Sequence, residues 1–272
     1  MSGGGVPPWA RRAARSAGEG LRAAGAAVSD AWRSLDPALV GHLAQAPLMG
    51  LTHLAPSRAA IAPRASDGRR AVLFVHGFGG HRGNFLPMQA ALRAQGRSRT
   101  LSLDAAPGAP IELLADALSA RIADVRAAWR LPAADCVELV AHSMGGLVCR
   151  LALEDPATRG AVAGLVTLGT PHHGTGLARL ARSAQALALR PRSEVLERLR
   201  AQDPWPAGFP PLHCFWSPQD LVLMPPESGV LPGAWAQEVA GFTHFSWLLD
   251  PRSWAHVGAA LDALPRPVPD LS

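Results

Sequence analysis

The 272-residue sequence contains no lysine and no tyrosine, a single asparagine at Asn84, and three cysteines. Without lysine the chain lacks the usual cation of a phosphate-binding P-loop, and neither G-x-x-x-x-G-K-[ST] nor G-x-G-x-x-G occurs. The formal charge of +5 therefore rests on arginine alone, a bias that a GC-rich coding sequence produces as readily as selection for positive charge. The arginines are scattered singly or in pairs with no interleaved aromatic stripe, which argues against a nucleic-acid partner. Cys136, Cys149 and Cys214 each sit in an apolar run, and an odd number without metal-like spacing points to reduced thiols rather than a disulfide scaffold. No apolar stretch approaches the length that spans a bilayer. The N-terminus has arginines but no apolar core of a signal peptide, so the expectation is a cytoplasmic protein.

What is present divides into two parts. Residues 1–66 form an Ala/Arg-rich arm in which Trp9, Leu21, Val28, Trp32 and Leu35 are dispersed, as in a flexible start followed by a weakly amphipathic helix. From Asp36 to Arg58 there is no intervening Asp, Glu or Arg. Leu39, Val40, Leu43, Leu48, Met49, Leu51 and Leu54 make this segment apolar, and Pro37, Pro47 and Pro56 are expected to break it into short helical pieces. Such a segment either packs on the main domain or makes a peripheral membrane contact through residues 37–56. Residues 67–272, with 48% apolar residues in the whole chain to draw on, hold one sizeable domain. Strands are expected at Arg70–Val75, Thr100–Leu103, Cys136–Val140, Val162–Leu168, Leu212–Trp216 and Gln237–Ala240. Helices are expected at Phe85–Ala94, Ile111–Trp129, from the turn after Cys136–Val140 to about Glu154, Leu177 to about Gln202, and His244–Ala263. This alternation predicts a mainly parallel α/β sheet with helices on both faces and ligands at the carboxyl ends of the strands.

The stretch C-V-E-L-V-A-H-S-M-G-G-L-V-C-R-L reads as strand, sharp turn and helix, with Ser143 at the turn between Ala141 and Gly145-Gly146. Taken alone it is either an exposed nucleophile or a turn that happens to contain serine. An activated serine needs a base in reach and a third group to orient that base, all at strand ends on one edge. Glu154, Asp155, Glu194, Glu197 and Asp203 fall at helix ends or in helical material, whereas Asp220 follows the strand L-H-C-F-W within a few residues. His213 and His256 lie inside regular elements, whereas His244 lies between the last strand and the last helix. The order Ser143, Asp220, His244 is that of one hydrolase architecture. The loop H-G-F-G-G at 76–80 then offers an oxyanion donor at the N–H of Phe78, paired with the N–H of Met144. His76, His81, His142, His172 and His173 show no H-E-x-x-H pattern and are expected to hold loops through backbone hydrogen bonds, with no metal and no cofactor.

The pieces V-L-F-V-H-G-F-G-G, A-H-S-M-G-G-L-V, T-L-G-T-P-H-H-G-T and S-P-Q-D-L-V-L-M-P-P-E-S, followed by G-F-T-H, resemble the bacterial lipase and esterase branch of the α/β-hydrolase superfamily over about 70–263. The resemblance implies a compact α/β-hydrolase fold of about six strands with a small cap at about 174–211. It also implies Ser143 as nucleophile, His244 as base and acid, Asp220 as orienter, and Phe78 and Met144 as oxyanion donors. Ala141 stands where glycine is commoner, as in some small bacterial lipases. Leu86, Trp205, Phe209, Leu221, Leu223 and Phe245 either line an acyl pocket or are ordinary packing residues. The expected activity is hydrolysis of lipid-like carboxylic esters. Thioester hydrolysis or acyl transfer on the same groups, and a non-catalytic lipid-binding scaffold, are the alternatives.

Overall fold

A computed structural model describes residues 36–52, 54, 61, 67–106, 108–132 and 136–265. Most of the expected arm, including Trp9, Leu21, Val28, Trp32, Leu35 and Pro56, therefore lies outside the described residues, as do the side chains of Val40, Leu48, Met49 and Leu51. Six strands form one sheet: β1 (Val72–Val75), β2 (Thr100–Ser102), β3 (Val137–His142), β4 (Val162–Leu168), β5 (Leu212–Trp216) and β6 (Trp235–Glu238). Their spatial order is β2-β1-β3-β4-β5-β6 and every pairing is parallel. This is the α/β-hydrolase sheet expected from the motifs.

The central strands are apolar almost throughout because both of their faces are covered. Alternate residues serve two cores. Leu73, Val75, Leu139, Ala141 and Leu165 face one cluster, which includes residues of the helices α3 (Ile111–Ala128) and α4 (Gly145–Ala152). Val72, Phe74, Val140, Val166 and Leu168 face the other, which includes residues of α2 (Leu86–Ala94) and of the last helix (Pro251–Ala263). A short helix α5 (Pro156–Gly160) precedes β4, with the Asp155 carboxylate accepting from the N–H groups of Ala157 and Thr158.

β1 begins two residues later and β3 ends two residues later than expected, and four further elements also differ. β6 begins two residues earlier than expected, because an edge strand with exposed Trp235, Ala236 and Glu238 carries no burial pattern to mark it. The expected closing helix is two, α8 (Ser246–Leu249) and α9 (Pro251–Ala263), divided where Asp250 caps Pro251 at the first helical position. The insertion after β4 is likewise broken into a 3-10 turn (Gly176–Leu180), α6 (Ala184–Ala188) and α7 (Glu194–Leu199), with Ser183 and Ser193 each starting a helix by accepting a backbone N–H. The apolar segment near the start is one helix, α1 (Pro37–Thr52), which runs through Pro47 rather than breaking there. Tertiary tethering outweighs the local cost of that proline: Gln45 hydrogen-bonds Thr243 Oγ1 at 2.7 Å and Ser246 Oγ at 3.2 Å.

An ion cluster, buried at Arg97 and Glu138 and exposed at Asp262, lies at the start of β3, the opposite end of that strand from Ser143. Arg97 Nη1 donates to Glu138 Oε2 at 2.6 Å and Arg97 Nη2 to Asp262 Oδ1 at 2.7 Å, with Arg70 at 4.0 Å from Glu138. Burial pushes the Glu138 carboxyl up to about 7 and outweighs the attraction of Arg97 and Arg70.

Candidate active site

β3 delivers its last residues to the top of the sheet and turns sharply into α4. At that turn Ser143 has φ of 56°, a left-handed conformation that costs a serine about 1–3 kcal/mol and persists only where neighbours enforce it. They do so here with three hydrogen bonds. Ser143 N–H donates to Leu168 O at 2.9 Å, Gly146 N–H donates to Ser143 O at 3.1 Å, and the Thr170 hydroxyl donates to Ser143 O at 2.8 Å. The turn is passable only because its flanks are small: a Cβ on Gly145 would lie 2.3 Å from Val75 O, and one on Gly77 would lie 2.6 Å from the Ser143 Cβ. Ala141 is fully buried and pairs with Val75 on one side and Thr167 on the other, so its methyl is accommodated.

The loop after β5 carries Asp220, which has no exposed surface. His244 Nδ1 lies 3.0 Å and 2.9 Å from its two carboxylate oxygens. Trp247 Nε1–H donates to Oδ2 at 3.2 Å and Val222 N–H donates to Oδ1 at 3.0 Å. Burial by itself would raise this carboxyl. The His244 imidazole and these hydrogen bonds outweigh burial and hold it below the usual carboxylate range. His244 is itself held: His142 Nε2–H donates to His244 O at 2.9 Å, and the two rings lie 4.5 Å apart. Burial, helped by His244, pushes His142 down to about 3, so it stays neutral and serves as a donor.

Ser143 and His244 share the wall of one cavity of about 470 Å³. Gly77, Phe78, Gly79 and Gly80 form its rim on the β1 side, where Gly80 N–H closes a turn onto Gly77 O. Met144 is buried at the start of α4. Among the described residues neither the Phe78 nor the Met144 N–H has a backbone or side-chain acceptor. Glu227, the acidic neighbour of Asp220 in sequence, lies in a 3-10 turn (Pro226–Gly229) and makes no contact with His244.

The expected pocket residues divide. Phe245 lines the cavity. Trp205 is a core residue whose Nε1–H donates to Pro210 O, and Phe209 packs against it at 5.2 Å with the Arg159 guanidinium over its ring. Leu223 is buried away from the cavity, and Leu86 and Leu221 are exposed outside its wall. The apolar wall comes instead from the first half of the insertion, through Leu177, Ala178, Leu180, Ala186 and Leu189, together with Val222 and Leu248. Small and aliphatic residues at no regular spacing gave no signal for this. Gly50 of α1 also lines the cavity, so the N-terminal segment reaches the site.

Two supporting residues were also not legible. Trp247 fixes the Asp220 carboxylate, and Gln185 in α6 accepts from Gly79 N–H at 3.4 Å while donating to Ala109 O at 2.9 Å. Of the remaining histidines, His76, His81 and His173 contact backbone groups as expected. His172 does not: its Nε2 meets the side chains of Thr167 and Cys214, because its ring is buried against β4 and β5. Among the described residues no group of three or more His, Cys, Asp or Glu could hold a metal ion. Nor is any described helix long and apolar enough to cross a membrane.

Comparison with known proteins extends this picture. The family described as a PGAP1-like alpha/beta domain matches residues 111–187, from α3 to α6 and through Ser143. A search of curated proteins finds no match. Among solved structures, Aspergillus fumigatus lipase B is similar with a TM-score of 0.62 and 20% identity, over 80% of this chain and 62% of that one. The mature form of Bacillus licheniformis lipase BlEst2 gives 0.61 and 17%, over 75% and 96%. The chain thus spans about 62% of the length of the Aspergillus protein. At such identities the likeness is one of fold.

Proposed function

We propose that this protein is a serine hydrolase that cleaves carboxylic esters with apolar acyl groups through an acyl-serine intermediate. The observation that carries the reading is the fully buried Asp220 carboxylate holding His244 Nδ1 in the wall of the cavity that also contains Ser143. An anion at that position keeps the ring proton on Nδ1, so Nε2 is the nitrogen that can take the Ser143 hydroxyl proton. The Ser143 oxygen then adds to the ester carbonyl, and the negative charge on the former carbonyl oxygen is received by the N–H groups of Phe78 and Met144. Collapse expels the alcohol, which takes the proton from His244. Water, deprotonated by the same nitrogen, releases the acid and restores the serine.

The lining supports a lipid-like acyl group. Leu177, Leu189, Val222, Phe245 and Leu248 offer the substrate no charge, and Leu180, 83% exposed, extends the apolar surface to the mouth. A polar acid would lose its hydration there without replacement. The exposed Leu39, Leu43 and Leu54 of the α1 region continue this apolar character, which favours a lipid surface as the place where substrate is met.

A fluorophosphonate probe tests the assignment. Peptide mapping should find the adduct on Ser143, and Ser143→Ala should abolish labelling while leaving the circular dichroism spectrum unchanged. An adduct on another serine, or turnover of nitrophenyl esters by Ser143→Ala, would overturn it.

A further inference from the structure

The turn that follows β4 has a second side. Pro171 lines the cavity containing Ser143, whereas His172 and His173 line a separate one of about 130 Å³, so the two cavities share this turn as a wall. Arg150, on α4, lines the second cavity and is only 1% exposed. Its guanidinium donates to Gln202 Oε1 at 3.3 Å, His172 O at 3.2 Å and Leu199 O at 2.7 Å, all neutral acceptors. Among the described residues no carboxylate lies within ion-pair distance of it. The acids of the cavity are directed elsewhere: Glu197 pairs with Arg200 at 3.1 Å, and Asp203 faces His173 at 3.7 Å. Arg192, also in the wall, has no hydrogen-bond or ion-pair partner among the described residues. Burial pushes Arg150 down to about 10 and outweighs the charges of Asp203 and Glu154, which favour the guanidinium from a distance.

His172 supplies the second observation. Its Nε2 lies 3.2 Å from the Thr167 hydroxyl and 3.4 Å from Cys214 Sγ. Burial pushes the Cys214 thiol up to about 11, so it stays protonated. Nδ1 of the same ring is a buried atom with no partner, whichever nitrogen carries the proton. The cavity is thus walled by the N–H groups of Arg150 that its three acceptors leave unused and by Arg192, beside the unpartnered Nδ1 of His172. A cation is excluded by the same charges. At about 30 Å³ per water, the space holds about four waters or one phosphate-sized group.

We propose that this cavity is a binding site for a small oxyanion of the phosphate type, with Arg150 and Arg192 supplying charge and N–H donors. The site does not depend on the hydrolase reading, because none of its donors belongs to the proposed reaction. Binding would brace the turn whose Thr170 hydroxyl holds Ser143 O.

The test is thermal unfolding of the full chain in increasing inorganic phosphate, at ionic strength fixed with sodium chloride. Exclusion of phosphate from protein surfaces also raises Tm, but without saturating and equally in all variants. Site binding should instead give a Tm rise that follows a saturating isotherm. Arg192→Ala should weaken the apparent affinity about fivefold, the upper end for a partly exposed charge pair. Arg150→Met should remove the saturating component, and if that variant does not fold, Arg192→Ala alone decides. A non-saturating shift, or one unchanged in Arg192→Ala, overturns the proposal.

Discussion

Asp220 and Glu227 are seven positions apart, both acidic and both after β5, yet only one touches the imidazole. The short loop leaves Asp220 under His244, where Trp247 and the Val222 N–H complete its hydrogen bonds. Glu227 is carried off by the Pro225-Pro226 turn. Asp220→Asn should therefore lower kcat by about 10⁴ with little change in KM, because in the proposed reaction the carboxylate would act mainly on the imidazolium of the transition state. Glu227→Gln should stay within about twofold, since it removes no contact to the reacting groups. Steady-state kinetics on one soluble ester, with folding checked by circular dichroism, decides between them, and the reverse ranking would move the orienting acid to Glu227. This choice was legible in the sequence because loop length and strand ends are sequence properties. The partners of the carboxylate were not, since Trp247 reaches it from a helix that follows His244.

The two segments that surround the cavity were the least legible elements. α1 is uncharged and reads equally well as a packed arm or a membrane contact. Among its described side chains, Gln45 ties it down through hydroxyl partners some two hundred residues away. The insertion reads as one helical block, but its serines restart the helix twice, and only the part up to Leu189 faces the cavity. Trp205 and Phe209 have the composition of a pocket and the position of a core, a distinction that no local pattern carries. A substitution in the observed wall tests which half matters. Ala186→Trp adds an indole where a methyl now stands, so kcat/KM for long-chain nitrophenyl esters should fall by about tenfold or more while acetyl ester turnover is kept. A chain-length series measures this. Equal losses across the series would place the acyl group elsewhere, and Trp205→Ala should leave chain-length preference unchanged.

At the scale of the molecule, the sheet was legible because Val162–Leu168 and Leu212–Trp216 are buried runs bounded by turns, and a parallel sheet needs such runs. The ion cluster beneath it was not, because Arg97, Glu138 and Asp262 are far apart in sequence and meet only after folding. It makes stability depend on pH. The Glu138 carboxyl is raised in the folded protein from 4.5 to about 7, so its contribution is fully present below 4.5 and is lost as pH rises through about 7. Relative to Glu138→Gln, which keeps the neutral form at every pH, the wild type should lose on the order of 3 kcal/mol across that interval. Urea unfolding midpoints of both proteins from pH 4 to pH 8, on the order of half-unit steps, measure the difference. A flat difference would mean that Arg97 holds the carboxylate ionised throughout.

The strand order β2-β1-β3-β4-β5-β6 has a temporal side. With every pairing parallel, no strand can close on its neighbour in the chain through a hairpin, and each contact waits for a crossover to be made. β1 stays without β3 until residue 142 has been synthesised, and β5 precedes β6. Ser143 comes first off the ribosome, Asp220 later, and His244 only once every strand is already out. In the proposed reaction, a nascent chain would carry its serine for a hundred residues with nothing to take the proton, and would be inert toward esters until His244 emerges.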